Sequence, residues 1–158
     1  MKRMMKSLVV VATFSLVCGY AQASDQVVHS VKGKFSDVKE NVEMAITDRG
    51  LVINNVSYIG NMLDRTGKAV GDTTKIYLKA ETFEFCSAVY SRGMMKADPK
   101  NIVYCPYTIA VYVLPREPKK VYVAYRRPPI EGSAKSRVAL KKVDTLMAEI
   151  VQNALSMH

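Results

Sequence analysis

Tyr107-Thr108-Ile109-Ala110-Val111-Tyr112-Val113-Leu114, followed after Pro115-Arg116-Glu117-Pro118-Lys119 by Lys120-Val121-Tyr122-Val123-Ala124-Tyr125-Arg126, is the stretch whose reading decides the fold. In the first run Tyr107, Ile109, Val111 and Val113 alternate with Thr108, Ala110, Tyr112 and Leu114, and neither set is polar. Val121, Val123 and Tyr125 repeat the period of two, and the proline-bearing link between the runs reads as a turn, so the pair is a β-hairpin. A strand with two apolar faces needs cover, and the flanking sequence offers it. Pro128-Pro129 and Gly132-Ser133 break the chain, and a long helix follows. Its apolar positions Ala139, Val143, Leu146, Met147, Ile150, Val151, Ala154 and Leu155 make the stripe of a helix laid across a sheet.

Upstream, Val27, Val28 and Val31 within Gln26 to Lys34 read as a first strand. A helix follows, with Ser36 as its cap, Val38, Val42, Ala45 and Ile46 at i, i+4, i+7 and i+8, Arg49 in its last turn and Gly50 as its stop. Leu51 to Gly60 reads as a second strand, bulged at Asn54-Asn55, and Asn61 to Thr74 as a short helical turn and a loop. The second half of Lys75 to Phe85 is a third strand ending at Cys86. Ser87 caps a short helix that Asp98-Pro99 ends, because a residue before proline is pushed out of the helical region. The order is β-α-β-(α)-β-(α)-β-β-α, an α+β sandwich with an antiparallel sheet covered on one face by helices.

At 158 residues and 17.6 kDa, with 49% hydrophobic and 23% charged residues, the chain has room for one domain and enough apolar matter for one core. Its N-terminus carries Lys2, Arg3 and Lys6, a short apolar run from Leu8 to Val17, and Ala21-Gln22-Ala23. This is the pattern of a secretory signal peptide, residues 1–23, cleaved after Ala23 to leave one domain over residues 24–158. A retained anchor would need a longer apolar span, and a lipoprotein site at Cys18 would not have Val17 before it. Cleavage removes Cys18 and the three basic residues, which takes the formal charge from +9 to +6 and leaves two cysteines. In the oxidising periplasm, Cys86 and Cys105 are expected to pair as a disulfide, which would stabilise the fold by ~3 kcal/mol. No later segment is long and apolar enough to cross a membrane.

Phe83-Glu84-Phe85-Cys86, Met95-Lys96-Ala97-Asp98-Pro99, Pro106-Tyr107-Thr108-Ile109-Ala110-Val111-Tyr112 and Tyr125-Arg126-Arg127-Pro128, in this order, resemble the bacterial family known as domain of unknown function 302. The resemblance runs from about Val31 to Leu155. It implies a β-α-β(4)-α unit of TATA-binding-protein-like architecture, here with two short helical insertions, often dimeric and without an established activity or catalytic residues. The cysteine pair and the segment Asn61 to Thr74 look like features of an exported subgroup.

The inventory of reactive groups is thin. His29 and His158 are the only histidines, which leaves little for a histidine triad or a multi-histidine metal site. Phosphate loops, nucleophile elbows and zinc-protease motifs are missing from the sequence. Glu81, Glu84 and Asp98 have no spacing that selects them as an acid/base pair, and Met44, Met62, Met94, Met95 and Met147 form no copper-type cluster. Cys86 and Cys105 read either as a structural disulfide or as a redox or sulfur-carrying pair. Tyr107, Tyr112, Tyr122 and Tyr125 on the hairpin read either as packing or as the wall of a groove between the sheet and the final helix. Pro115 to Lys142 is strongly basic, with Arg116, Lys119, Lys120, Arg126, Arg127, Lys135, Arg137, Lys141 and Lys142 against Glu117 and Glu131. It suits either a solvated face or an anionic envelope component; nucleic acid is disfavoured by export. The expectation is a non-enzymatic periplasmic domain, with no cofactor or metal, that binds a small ligand or a protein partner. The alternative is a thiol-redox or sulfur-handling protein using Cys86 and Cys105. Monomer and homodimer both remain open, since a helix or a second subunit can hide an apolar sheet face.

Overall fold

The computed structural model describes residues 25–157; the expected signal peptide and His158 lie outside them. Five strands, β1 (Gln26–Lys32), β2 (Val52–Ser57), β3 (Lys79–Cys86), β4 (Tyr107–Val113) and β5 (Lys120–Arg126), form one sheet in the order β1-β5-β4-β3-β2. Every neighbouring pair is antiparallel. Four helices, α1 (Phe35–Thr47), α2 (Ile59–Thr66), α3 (Ala88–Ala97) and α4 (Ala134–Ser156), complete the α+β fold expected from the sequence.

Alternation sorts each strand. Phe83 and Phe85 on β3, Tyr107, Ile109, Val111 and Val113 on β4, and Val121, Val123 and Tyr125 on β5 are all buried on one face. That face packs beneath α1 and α4: Val38, Val42, Ala45 and Ile46 come from α1 and Leu140, Val143, Leu146, Met147, Ile150, Val151 and Ala154 from α4. Each large side chain so buried is worth ~1.5–3 kcal/mol relative to exposure, which makes this stripe the main source of stability. The second strand carries its bulge between Ile53 and Asn55, which returns Val56 to the core face opposite Phe83.

Several local expectations change. The helix α1 starts one residue before Ser36: Lys34 occupies the cap position without a side-chain hydrogen bond, and Ser36 instead donates to Asp37. Phe35 packs against the core, and that burial sets the start of the helix ahead of the better capping residue. Arg49 lies beyond the helix end and pairs with Glu149 on α4 at 2.7 Å. Gly50, with φ +70, takes the left-handed turn that stops α1. Ile59 and Gly60 belong to α2 rather than to the second strand, and Gly60 sits so close to β3 that a Cβ would lie 3.0 Å from the Ala80 nitrogen. A 3-10 helix, Pro99–Tyr104, follows α3 as an additional helical insertion, and the Asp98 side chain caps it by accepting from the Lys100 N–H at 2.9 Å. The stripe of α4 also includes Leu140, and buries Ser136 and Asp144.

The buried Ser136 has a reason. Asn101 Nδ2 donates to the Met94 carbonyl and to Ser136 Oγ, each at 2.9 Å, and so ties the end of α3 and the 3-10 helix to the first turns of α4. Replacing Asn101 by Ala strands the buried Ser136 hydroxyl and leaves the Met94 carbonyl with only the Asp98 N–H as donor. The expected loss is about 1–3 kcal/mol, read as a lower urea midpoint with an unchanged slope.

Candidate functional site

The face of the sheet opposite α1 and α4 carries a concavity of about 500 Å³. Period-two alternation builds its floor: Val28 on β1, Ala124 on β5, and Ala110 and Thr108 on β4 all point away from the helices. Small side chains at these positions leave the depth that leucine or phenylalanine would fill. Tyr112 closes one end. It is stacked on Tyr122, with ring centroids 5.0 Å apart and an angle of 8°, and makes a T-shaped contact with Tyr77 at 5.5 Å and 69°. Tyr104, Pro106 and Arg126 form the other end.

At that end the strands part. Pairing of β4 with β5 stops at Ile109 and Tyr125, whereas β5 follows β1 to Arg126 and the Arg127 N–H donates to the Asp25 carbonyl at 2.7 Å. The concavity extends past Tyr107 and Tyr125 to Val143 and Met147 of α4. Three of the four hairpin tyrosines therefore border it, with Tyr107 and Tyr125 reaching it from the core side, and Tyr122 does not. Tyr122 supports the stack from outside and donates its hydroxyl to Glu117. Tyr77 and Tyr104 were not singled out by sequence. Tyr104 adjoins Cys105-Pro106, the one local signal available; Tyr77 lies in a loop, and only the fold brings it to Tyr112.

Environment shifts the phenols in one direction. Burial pushes Tyr107, Tyr112 and Tyr125 above the usual tyrosine range, opposed at Tyr107 by a hydrogen bond with Ser91. Tyr104 is raised by burial and by the Glu131 carboxylate, to which it donates at 3.4 Å, while the Arg126 charge pulls it back. At Tyr122 the bond to Glu117 is the main cause.

Cys86, at the end of β3, and Cys105, just before β4, lie with their sulfurs 2.9 Å apart as free thiols. A covalent bond would bring them to ~2.05 Å. Ser91 on α3 joins them, its Oγ 3.6 Å from Cys105 Sγ and 3.2 Å from Tyr107 Oη. Burial, then the Cys105 thiol, pushes Cys86 from an ordinary 9.0 up to about 11. This is the reverse of an activated thiolate.

The remaining candidates are dispersed. Glu81 faces the helices and pairs with Lys39 at 3.1 Å, Glu84 lies on the opposite face, and Asp98 caps the 3-10 helix. Met94 and Met147 are core, whereas Met44 and Met62 are exposed on separate helices. The basic segment spreads from the hairpin link to the first turns of α4, and part of it is paired: Lys120 pairs with Glu117 at 2.7 Å, and Arg127 and Lys141 hold the buried Asp144 at 3.1 and 2.9 Å. No helix among the described residues is long and apolar enough to cross a membrane.

Two titrations follow. The fold holds Tyr107 and Tyr125 as neutral phenols, so their contribution to stability is complete below about pH 10, the unfolded value, and is lost as pH rises through their higher folded values; unfolding midpoints should fall as pH is raised above about 10. In the reduced protein at pH 8, the Cys86 shift leaves about a hundredfold less thiolate, so its alkylation should be about a hundredfold slower than in the urea-unfolded chain. Equal rates would contradict the environment described.

The family described as domain of unknown function DUF302 matches residues 27–157. A solved structure with the same fold is titled as the crystal structure of an uncharacterized conserved DUF302 protein from Bacillus stearothermophilus. It is 11% identical, with a TM-score of 0.69, and the alignment covers 84% of this chain and 99% of that one. No curated protein matches the chain. The solved structure shares the fold, and the family match over nearly all of the described residues establishes that the chain belongs to the DUF302 family.

Proposed function

We propose that residues 24–158 are an exported, periplasmic, non-enzymatic binding module of an exported, cysteine-containing DUF302 subgroup, whose sheet-face concavity holds a small ligand. The observation that carries this reading is the concavity itself: about 500 Å³, floored by small side chains and walled by Tyr77, Tyr104 and Tyr112. Small-molecule sites have this size and this mixture of aromatic walls with few polar groups. Export is supported by the basic start, the short apolar run and Ala21-Gln22-Ala23.

In the same reading Cys86 and Cys105 form a structural disulfide. Both thiols give up a proton and an electron to the disulfide of an exchange partner in the envelope, which leaves as a dithiol. Their proximity supports this, and the upward shift of Cys86 speaks against a poised redox nucleophile. The bond would pin the end of β3 to the segment whose next residues, Pro106 and Tyr107, line the concavity.

Native mass spectrometry of the protein isolated from the periplasm tests these statements together. The expected chain starts at Ser24, carries extra mass in the native spectrum alone, and takes up alkylating reagent at Cys86 and Cys105 only after reduction. Cys86→Ser is expected to lose about 3 kcal/mol under oxidising conditions while staying folded. A bare native mass counts against the binding module. Thiols that alkylate without reductant overturn the disulfide and favour the thiol-redox reading.

A further inference from the structure

We infer that the ligand of the concavity is a small amphipathic monoanion, an apolar body bearing one carboxylate, recognised by Arg126. This rests on the binding-module reading and adds the class of ligand. Two arginines and no carboxylate line the concavity. They differ in one respect. Arg127 is committed to Asp144, whose side chain is only 8% exposed, so removing that guanidinium would leave the buried carboxylate with Lys141 as its one remaining ion-pair partner among the described residues. Arg126 has no carboxylate within ion-pair distance among the described residues, and its side chain is exposed at the mouth. Its charge acts on the Tyr104 hydroxyl, which donates to Glu131 at 3.4 Å, and Glu131 itself does not line the concavity.

The placement of Arg126 follows from the strand. It is the last residue of β5 on the same face as Ala124, so its guanidinium stands at one end of an apolar floor whose other end is the Tyr112 ring. That ring is held by Tyr122 and Tyr77, so the part of it that lines the concavity loses little freedom when an apolar group packs beside it. A planar guanidinium pairs with a carboxylate through two parallel hydrogen bonds, a geometry a lysine would not supply. The site thus selects a molecule with one apolar end and one anionic end, about the length from Tyr112 to Arg126.

Calorimetric titration of the exported chain with naphthalene-2-carboxylate and its uncharged analogue naphthalene-2-carboxamide tests this. The carboxylate is expected to bind one per chain, at least tenfold tighter than the amide, and more weakly as salt rises. Arg126→Gln should bring the carboxylate down to the affinity of the amide. Lys119→Gln removes the same charge at the far end of β5 and should leave carboxylate affinity within twofold; thermal unfolding checks that both variants are folded. Equal affinities for acid and amide, unmoved by Arg126→Gln, overturn the anion inference and leave the concavity as a ligand site. Heat from neither compound overturns both.

Discussion

The two-residue period of β4 and β5 is the constraint on which the rest of the molecule depends. Because both strands are apolar on both faces, the sheet has two surfaces to remove from water and one layer of long helices with which to do it. The face bearing Ile109, Val111, Val121 and Val123 receives α1 and α4 and becomes the core. On the other face the chain uses small residues, so that little apolar area stands exposed, and covers Tyr112 with the rings of its neighbours. The concavity is what remains between these economies. Its position is a by-product of strand register, since shifting β4 by one residue would send Ala110 and Thr108 into the core and Ile109 into solvent.

Polar groups are buried where elements must be held at an angle rather than merely packed. Asn101 and Ser136 join three chain segments through directional bonds that apolar contact could not supply. Asp144 does the same at the other side of α4, where Arg127 and Lys141 compensate a carboxylate that has almost left water. Both anchors act on the first half of α4, the part that borders the open end of the hairpin.

The elements set by long periodic stretches were legible in the sequence: the hairpin, α4 and α1 each present many residues in one pattern, and no single neighbour can override it. Punctuation was less so. Ser36 is a good capping residue, yet the burial of Phe35 starts the helix earlier, and the 3-10 helix after Asp98-Pro99 has too few residues to show a period. The site was legible in part for the same reason. Tyr112 and Tyr107 could be placed on opposite faces by counting, but that β4 and β5 part below Ile109 and Tyr125, so that both faces meet one cavity, depends on pairing. Tyr77 was invisible because nothing local distinguishes a loop tyrosine that closes over a sheet from one that faces solvent.

The edge strand β1 pairs with β5 alone, Gln26 standing opposite Arg126 about a hundred residues further along the chain. It is the first strand to be synthesised and the partner it needs is the last. Until β5 exists, β1 has no place in the sheet, and closing so long a loop costs entropy that only the completed ladder and the Val27 and Val31 contacts can offset. The floor of the concavity borrows Val28 from that strand, so the site is complete only where the pairing most distant along the chain has formed.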